Sequence, residues 1–259
     1  LLFHTPEEGI VGVQLFGREP EYFARAAAAL EERGFAFIDI NMGCPARKVV
    51  AGGSGSALMR EPELCGRIVS AVREAVTVPV TVKMRSGWSS GEINAPLIAR
   101  ICEDNGADAV TVHGRTREMQ YSGAADRGII ALVRKAVGIP VIANGDIRTW
   151  SDHKAMLEET GAAAAAIGRG ACGNPWAFLS IKEGRDIEVS PAERIQGAIR
   201  HLDMLVEWAG EMHGVIEARK HIAWYLHGIR GAGAVRTRIM SLKKAAEVKE
   251  TLREFAGRS

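Results

Sequence analysis

Six polar positions of the chain follow short apolar segments, where the end of a strand can present a side chain for chemistry. They are Gln14, Asn41, Lys83, His113, Asn144 and the pair Gly168–Arg169. In a (β/α)8 barrel the carboxyl ends of the strands converge on one mouth, whereas an open sheet spreads them along a line. One or two such residues need no special explanation. Six in succession predict a barrel with one active site.

The segment DINMGCP places Cys44 just beyond Asn41, between Gly43 and Pro45. A thiol is mostly protonated at neutral pH, so Cys44 can serve there as a general acid. It could equally act as a nucleophile or as a small buried apolar side chain. The residues alone leave these three roles open.

Lys83 in VKMRSGW and His113 in TVHGRT end neighbouring apolar segments. An ammonium group at such an edge can hold negative charge on a reduced flavin, form a Schiff base, or make only a salt bridge at the rim. A lone histidine is more often a core residue. The position of His113 one strand after Lys83 favours a place in the site.

Two glycine-containing turns after successive strands predict phosphate binding. They are NGDI at Asn144–Ile147 and GRG at Gly168–Gly170. Free backbone N–H groups and a guanidinium suit a phosphate dianion, and barrels often bind phosphate with the loops after strands 7 and 8. The two turns together indicate a phosphorylated cofactor. The stretch GGSGSA at Gly52–Ala57 follows no strand and is not assigned to a dinucleotide.

Strand patterns alternate with helical patterns along the first 170 residues, which indicates α/β architecture around a parallel sheet. The predicted strands are Ile10–Phe16, Ala36–Asn41, Val78–Lys83, Ala109–His113, Ile139–Asn144 and Ala163–Gly168. The predicted helices between them are Pro20–Arg33, Glu63–Val76, Ala95–Asn105, Arg127–Val137 and Ser151–Glu159. A TIM barrel needs eight strands, so we expect two more before Leu1. We therefore expect a gap between the strands of Gln14 and Gly168, and weak flavin retention.

The last 70 residues predict a small helical domain. SPAE at Ser190–Glu193 is a capping box with proline at the first helical position. Further helices are predicted over Val215–Ile229 and Leu242–Phe255, separated by the turn Gly231–Gly233. We expect a catalytic barrel over residues 1–180 and a helical domain over residues 190–259.

Composition excludes several classes of protein. The 259 residues are 47% hydrophobic and 25% charged with a net charge of +2, and no stretch approaches the roughly 20 apolar residues that a membrane span needs. The cysteines form no C-x-x-C pair, so we expect neither a disulfide framework nor a metal site. The expected location is the reducing cytoplasm. Residues 218–246 hold seven basic residues and no acidic one. This indicates a polyanionic partner.

Seven segments of the chain together resemble the tRNA-dihydrouridine synthases, and the bacterial B-type branch most closely. The segments are VQLFG, DINMGCPARKVV, GSGSALM, VTVKMRSGW, VHGRTREMQYSGAAD, VIANGDI and GRGACGNPW. They cover nearly the whole chain in the family's order and spacing. The family's opening strand, APM-x-G-x-T-D, which touches the flavin, has no counterpart here.

The resemblance implies an enzyme that uses FMN and NADPH to reduce the C5–C6 double bond of a uridine in tRNA. Positions that match flavin-binding residues of the family are Gln14, Lys83, His113, Asn144, Gly145, Asp146, Gly168 and Arg169. Cys44 matches the catalytic acid, and Asn41 and Arg85 are candidates for holding the uracil edge. The basic tail residues Arg219, Lys220 and Arg236 are expected to bind tRNA. The target base must leave its stack to reach a barrel mouth.

Two other functions remain open at this point. One is a small-molecule flavin oxidoreductase of the dihydroorotate dehydrogenase type, which would not need the basic tail. The other is an inactive RNA-binding remnant that has lost its flavin. Binding of bulk tRNA at different salt concentrations tests the first, and flavin absorbance of the purified chain tests the second.

Overall fold

The computed structural model describes residues 4–257 and contains one six-stranded parallel sheet. Its strands pair in chain order, from β1 to β6. They are β1 (Gly12–Leu15), β2 (Phe37–Met42), β3 (Val80–Arg85), β4 (Ala109–His113), β5 (Val141–Asn144) and β6 (Ala164–Ala166). Helices connect successive strands, as a parallel sheet requires. The predicted α/β class with barrel-type topology is confirmed.

Ten helices accompany the strands within residues 4–257. They are α1 (Pro20–Glu31), α2 (Arg47–Val50), α3 (Pro62–Ala75), α4 (Ala95–Asp104), α5 (Arg127–Ala136), α6 (Trp150–Thr160), α7 (Trp176–Glu183), α8 (Pro191–Tyr225), α9 (Ala232–Ser241) and α10 (Ala245–Ala256). Short 3-10 turns also occur at Pro6–Glu8, Gly55–Arg60 and Arg169–Ala171. None of the described helices is both long enough and apolar enough to span a membrane.

The strand side chains divide by face. Those that face the helices are apolar and almost fully buried, namely Ile38, Ile40, Met42, Val80, Val82, Met84, Val110, Val112, Val141 and Ala143. Burying a side chain of valine, isoleucine or methionine contributes roughly 1.5–3 kcal/mol to stability. The hydrophobic core therefore lies between the sheet and its helices. The opposite face of the sheet carries the polar residues, because successive side chains on a strand alternate.

Strand β3 is longer at its carboxyl end than predicted. The predicted strand ends at Lys83, but the observed one reaches Arg85, which lies opposite His113 of β4 in the register. The prediction was wrong because a charged side chain suggested a loop start. Arg85 instead points to the polar face and remains paired in the sheet.

The two edges of the sheet are β1 and β6. Within the part of the chain that the structure describes, β1 pairs only with β2 and β6 only with β5. A closed six-stranded barrel is thus not formed by these residues. Each edge strand is short, with four residues in β1 and three in β6.

The chain divides into two compact units. The first comprises residues 1–147 and 152–167, and the second comprises residues 148–151 and 168–259. The second unit has its own hydrophobic core, which includes Ile195, Leu202, Val215, Ile222 and Leu252. The predicted boundary between residues 180 and 190 stays a prediction.

The helical unit departs from its prediction in two helices. The capping box at Ser190 is present, but the helix that follows continues to Tyr225, with a kink at Gly210. Helix α9 was missed, because Gly231 and Gly233 suggested an extended turn. Ala232 and Ile239 of α9 are buried in the core of the unit, so tertiary packing overrides the low helix propensity of glycine.

Candidate active site

A hydrogen-bonded chain of side chains crosses strands β1, β2 and β3 on the polar face. Gln14 donates from Nε2 to Asp39 Oδ2 at 2.6 Å, and Asn41 Nδ2 donates to Gln14 Oε1 at 2.6 Å. Thr81 Oγ1 donates to the other oxygen of Asp39, also at 2.6 Å. The parallel register brings these residues together, since Gln14 lies opposite Asp39 and Asp39 opposite Thr81. Gln14 and Asn41, two of the predicted site residues, are thus in direct contact near the ends of neighbouring strands.

Asp39 is a site residue that the sequence analysis missed. Burial raises the pKa of its carboxyl group, and the hydrogen bonds from Thr81 and Gln14 and the charge of Lys83 act against that rise. Burial lowers the pKa of the Lys83 ammonium, and the charge of Asp39 opposes that change. Each group therefore supports the charged form of the other. The signal was available, because Asp39 and Asn41 share a face in FIDINM.

Lys83 is half-buried on the polar face and lies opposite Asn41 in the register. Among the described residues, its Nζ makes no hydrogen bond and no ion pair within 4.0 Å. A half-buried ammonium without such a partner retains its three N–H groups for an incoming acceptor. Lys83 can thus bind a group that carries or develops negative charge.

Cys44 is fixed by its neighbours at the end of β2. Asn41 Oδ1 accepts hydrogen bonds from the backbone N–H groups of Gly43 and Cys44, at 3.1 and 2.9 Å. The backbone N–H and the hydroxyl of Ser56 donate to the Cys44 carbonyl at 3.1 and 3.0 Å. A Cβ on Gly55 would lie 2.8 Å from that carbonyl oxygen. The GSGSA segment at residues 53–57, which the sequence analysis did not assign to a dinucleotide, therefore packs against the Cys44 loop and holds its backbone.

Arg85 connects the loops that follow β2 and β4. Only 3% of the residue is exposed, and its Nε donates to the Gly43 carbonyl at 2.9 Å. Its Nη1 donates to the carbonyls of Thr116 and Gln120, at 2.7 and 2.9 Å. The guanidinium carbon also lies 5.7 Å from the ring centre of Tyr121. Arg85 thus anchors the turn that carries Cys44 to the loop after β4.

His113 ends β4 and is neutral. Burial is the main cause that lowers the pKa of its imidazole to about 3, and the positive charges of Arg85, Lys83 and Arg115 add to the effect. Its Nδ1 accepts a hydrogen bond from the backbone N–H of Arg115 at 3.1 Å. The proton therefore resides on Nε2, which can donate a hydrogen bond into the site.

The NGD turn after β5 is held by a buried arginine that the sequence analysis also missed. Arg115 is only 3% exposed and donates from Nη2 to Asp146 Oδ2 at 2.6 Å. Asp146 Oδ2 also accepts from the Ala125 backbone at 3.0 Å. Gly145 has a φ of +130°, and a Cβ there would lie 2.6 Å from Ala125 Cβ. Asn144 Nδ2 donates to the Ala166 carbonyl at 2.7 Å, which fixes β5 to β6.

Gly168 and Arg169 belong to the helical unit. Arg169 begins a 3-10 turn and lines a cavity of about 580 Å3 in that unit. Arg148 and Arg194 line the same cavity, and Arg194 Nη2 donates to the His227 carbonyl at 2.6 Å. The cavity therefore gathers several cationic side chains around the GRG turn.

The three predicted tail cations differ in their surroundings. Arg219 Nη2 donates to the Leu242 carbonyl at 2.7 Å, and Lys220 Nζ lies 2.6 Å from Glu217 Oε2. Arg236 is exposed, and its side chain makes no hydrogen bond or ion pair among residues 4–257. A run without acids in the sequence is thus partly neutralised in space, because helices bring Glu217 and other carboxylates beside it. No group of three potential metal ligands occurs in the described part of the chain.

A family model described as dihydrouridine synthase matches residues 2–259. The chain belongs to the dihydrouridine synthase family. A relative named "Probable tRNA-dihydrouridine synthase" from Rickettsia prowazekii is 44% identical over 94% of this chain and 76% of its own length. The tRNA-dihydrouridine synthase B of Xanthomonas axonopodis is 45% identical over 86% of this chain and 68% of its own. Members of the dihydrouridine synthase family are oxidoreductases of the flavin-dependent type.

Solved structures add only a distant likeness. A dipeptide epimerase from Enterococcus faecalis has a TM-score of 0.49 and 17% identity, over 85% of this chain and 52% of its own. The assignment to the dihydrouridine synthase family therefore stands on the family model and on the relatives.

The neutral His113 of this dihydrouridine synthase family member makes stability depend on pH. Its pKa is about 3 in the folded chain, against about 6.5 when unfolded. The unfolded chain therefore binds the extra proton first, and the free energy of unfolding falls as the pH drops from 6.5 towards 3. In His113→Asn we expect a shallower fall, because the amide oxygen can still accept from Arg115 but does not titrate. Urea unfolding at pH 7 and pH 4.5 measures the loss of unfolding free energy between the two pH values. The same loss in the parent and in His113→Asn would contradict the prediction.

Proposed function

We propose that the chain reduces the C5–C6 double bond of a uridine in tRNA to dihydrouridine, with FMN as cofactor and NADPH as electron donor. Family membership and relatives named tRNA-dihydrouridine synthase support the reaction. The observation that carries the proposal is the position of Cys44, whose backbone is held just past the end of β2, next to the strand β3 that carries the half-buried ammonium of Lys83. A proton donor and an anion-stabilising cation are the two groups that this reduction needs.

The residues of the polar face fit a flavin. Lys83 offers N–H groups that are not used by the described residues, and His113 offers a proton on Nε2. The backbone at Gly145 leaves no room for a Cβ, which is typical of close packing around a turn. The residues of the first unit that would hold FMN are Gln14, Lys83, His113, Asn144, Gly145 and Asp146. The flavin contacts expected of Gly168 and Arg169, which belong to the helical unit, stay a prediction. When bound and reduced, FMN supplies the hydride that C6 of the uracil accepts.

Lys83 is proposed to stabilise the negative charge of the reduced cofactor. The charge of Asp39 favours the protonated form of Lys83 against the effect of burial. Because both groups are removed from bulk water, their interaction is screened less than at a surface. The ammonium therefore offers a fixed positive charge, and a fixed charge needs no reorganisation during the reaction.

Cys44 is proposed to donate the proton that C5 of the uracil needs after hydride addition at C6. The C–H bond at C5 forms as the S–H bond of Cys44 breaks, and the thiol is restored by proton uptake from solvent. Asn41 holds the Cys44 backbone with Oδ1 and Gln14 with Nδ2. These bonds support a positioning role for Asn41, and the hydrogen bond from Arg85 to Gly43 supports the same role for Arg85. Contact of either side chain with the uracil edge stays a prediction.

The proposed division of labour places catalysis in residues 1–180 and tRNA binding in residues 190–259. A substrate found in the cytoplasm agrees with four cysteines that are all free.

The decisive experiment is mass spectrometry of tRNA nucleosides from cells that lack the gene. We expect the loss of a nucleoside that is heavier than uridine by two hydrogen atoms, and its return when the gene is restored. Unchanged dihydrouridine at every position would reject the proposal.

Charge reversal in the tail should weaken tRNA binding. We expect Arg219→Glu, Lys220→Glu and Arg236→Glu together to reduce both the affinity at low salt and the dependence of affinity on salt, because each neutralised phosphate contributes a slope of about 0.7–0.9. Filter binding over a salt series measures this, with flavin absorbance as a check on the barrel.

Two further variants separate binding from folding in the tail. Arg236→Glu alone avoids the hydrogen bond that Arg219 makes to Leu242, so it tests charge without loss of that contact. Lys249→Glu is the matched control, because Lys249 already pairs with Asp203 at 2.9 Å. A triple variant that binds tRNA like the parent would mean that tRNA is held elsewhere.

A further inference from the structure

Two arginines stack on one tryptophan near the ends of β3 and β4. Trp88 and Arg117 lie in the loops that follow these two strands, and Arg60 ends the 3-10 turn Gly55–Arg60. The guanidinium carbon of Arg117 lies 4.7 Å from the ring centre of Trp88, and that of Arg60 lies 4.9 Å from it. Backbone hydrogen bonds hold the loops together, from Arg117 N–H to the Gly87 carbonyl at 2.9 Å and from Glu118 N–H to the Trp88 carbonyl at 3.0 Å. Indole is the aromatic ring that best attracts a cation. The stack therefore holds two positive charges beside Trp88, one of them on the loop after β4.

The two arginines differ in their anionic partners. Arg60 Nε lies 3.7 Å from Glu92 Oε2. For Arg117, no residue in the described ranges supplies a carboxylate within 4.0 Å or a side-chain hydrogen bond. Its Nε is buried without a hydrogen-bond partner. The nearest acid in the sequence, Glu118, is exposed. Arg117 is thus a positioned, half-buried cation whose side-chain hydrogen-bonding capacity is not used by residues 4–257.

The loops that carry the stack belong to the mouth of the sheet. Trp88 follows Arg85 at the end of β3, and Arg117 follows His113 at the end of β4. These are the strands whose ends hold Lys83 and His113. A base that is turned out of its stack into this mouth brings the phosphates on either side of it to the rim. A planar guanidinium binds phosphate oxygens with two parallel hydrogen bonds.

We propose that Arg117, held in place by Trp88, binds a backbone phosphate of the tRNA beside the uridine that is reduced. The proposal rests on the proposed function and adds a binding residue in the barrel unit to the tail cations. A phosphate of NADPH offers the same chemistry, so the test must distinguish the two sources.

The test measures tRNA binding by the flavin-loaded protein over a salt series, with Arg117→Gln and the matched control Arg60→Gln. We expect Arg117→Gln to lower the slope of log affinity against log salt by about 0.7–0.9, the contribution of one phosphate. Arg60→Gln, which removes a cation already opposite Glu92, should keep the parent slope. Arg117→Lys preserves the charge and should also keep it. The KM for NADPH should be unchanged in all three.

Each contrary result overturns the inference. If Arg117→Gln keeps the parent's salt dependence of tRNA binding but melts at a lower temperature, Arg117 only holds the loops together. If Arg117→Gln raises the KM for NADPH, the phosphate that it binds belongs to the reductant. If the variant does not fold, a second measurement on the unaltered protein tests the inference. Ethylation of the phosphates that flank the target uridine should interfere with binding, and no interference there would also overturn the inference. The proposed function fails separately, if the parent binds tRNA but forms no dihydrouridine.

Discussion

Cys44→Ala should form dihydrouridine about 10² to 10⁴ times more slowly than the parent, which is the usual contribution of a general acid. Flavin content and NADPH oxidation should remain close to those of the parent, because the thiol acts only after the hydride has reached the uracil. Single-turnover reduction of tRNA by the pre-reduced enzyme measures the effect. The turn should keep its conformation in this variant, because Asn41 and Ser56 hold it through the backbone of residue 44 and not through the thiol.

The control for this variant is Cys172→Ala. Cys172 is an exposed free cysteine in the helical unit, so its removal should leave dihydrouridine formation unchanged. Cys44→Ser should resemble the alanine variant, because a hydroxyl is a far weaker acid than a thiol. A Cys44→Ala enzyme that makes dihydrouridine at nearly the parent rate would remove the thiol from the mechanism.

Lys83→Ala should slow uracil reduction by about 10² to 10³, the range seen when one preorganised electrostatic group is removed. The reason is that the reduced cofactor would lose the positive charge that compensates it. Stopped-flow absorbance under anaerobic conditions separates this step from the reduction of the flavin by NADPH. Lys135→Ala is a suitable control, because Lys135 lies exposed in the last turn of α5.

Asp39→Asn tests the same charge by another route. Without the carboxylate, the main opposition to the effect of burial is lost and the pKa of Lys83 falls further. The ammonium is lost as the pH rises through its pKa, so the alkaline limb of the rate profile should move to lower pH. An unmoved alkaline limb in Asp39→Asn, or a parent rate in Lys83→Ala, would mean that Lys83 is not the compensating charge.

The strand ends were predictable because parallel strands give an unbroken apolar pattern that stops at a polar residue. His113 and Asn144, which end β4 and β5, were found in this way, and so was Lys83, although β3 continues beyond it to Arg85. Asp39 and Arg115 were missed for different reasons. Asp39 lies inside a strand, where only the alternation of faces marks it. Arg115 is two residues past a strand, and its burial depends on the carbonyls of Ser122 and Gly123 in a loop that no local pattern predicts.

Helices in the tail were harder to predict than strands in the barrel. A glycine inside α9 lowers helix propensity, and only burial of residues such as Ile239 against a separate core restores the helix. The sequence also does not show which of the tail cations are paired. The basic run begins just after Glu217, and one turn of helix places that carboxylate beside Lys220.

The division of the strands into an apolar and a polar face gives the chain an odd–even code for mutational scanning. In β2, β3 and β4 the even-numbered positions, such as Ile40, Val82 and Val112, are buried under the helices, and the odd-numbered ones face the site. In β5 the code reverses, with Ala143 buried and Asn144 on the polar face. A scan read by protein abundance should therefore give a pattern of alternate positions along each strand. A scan read by tRNA modification at equal abundance should give the complementary pattern.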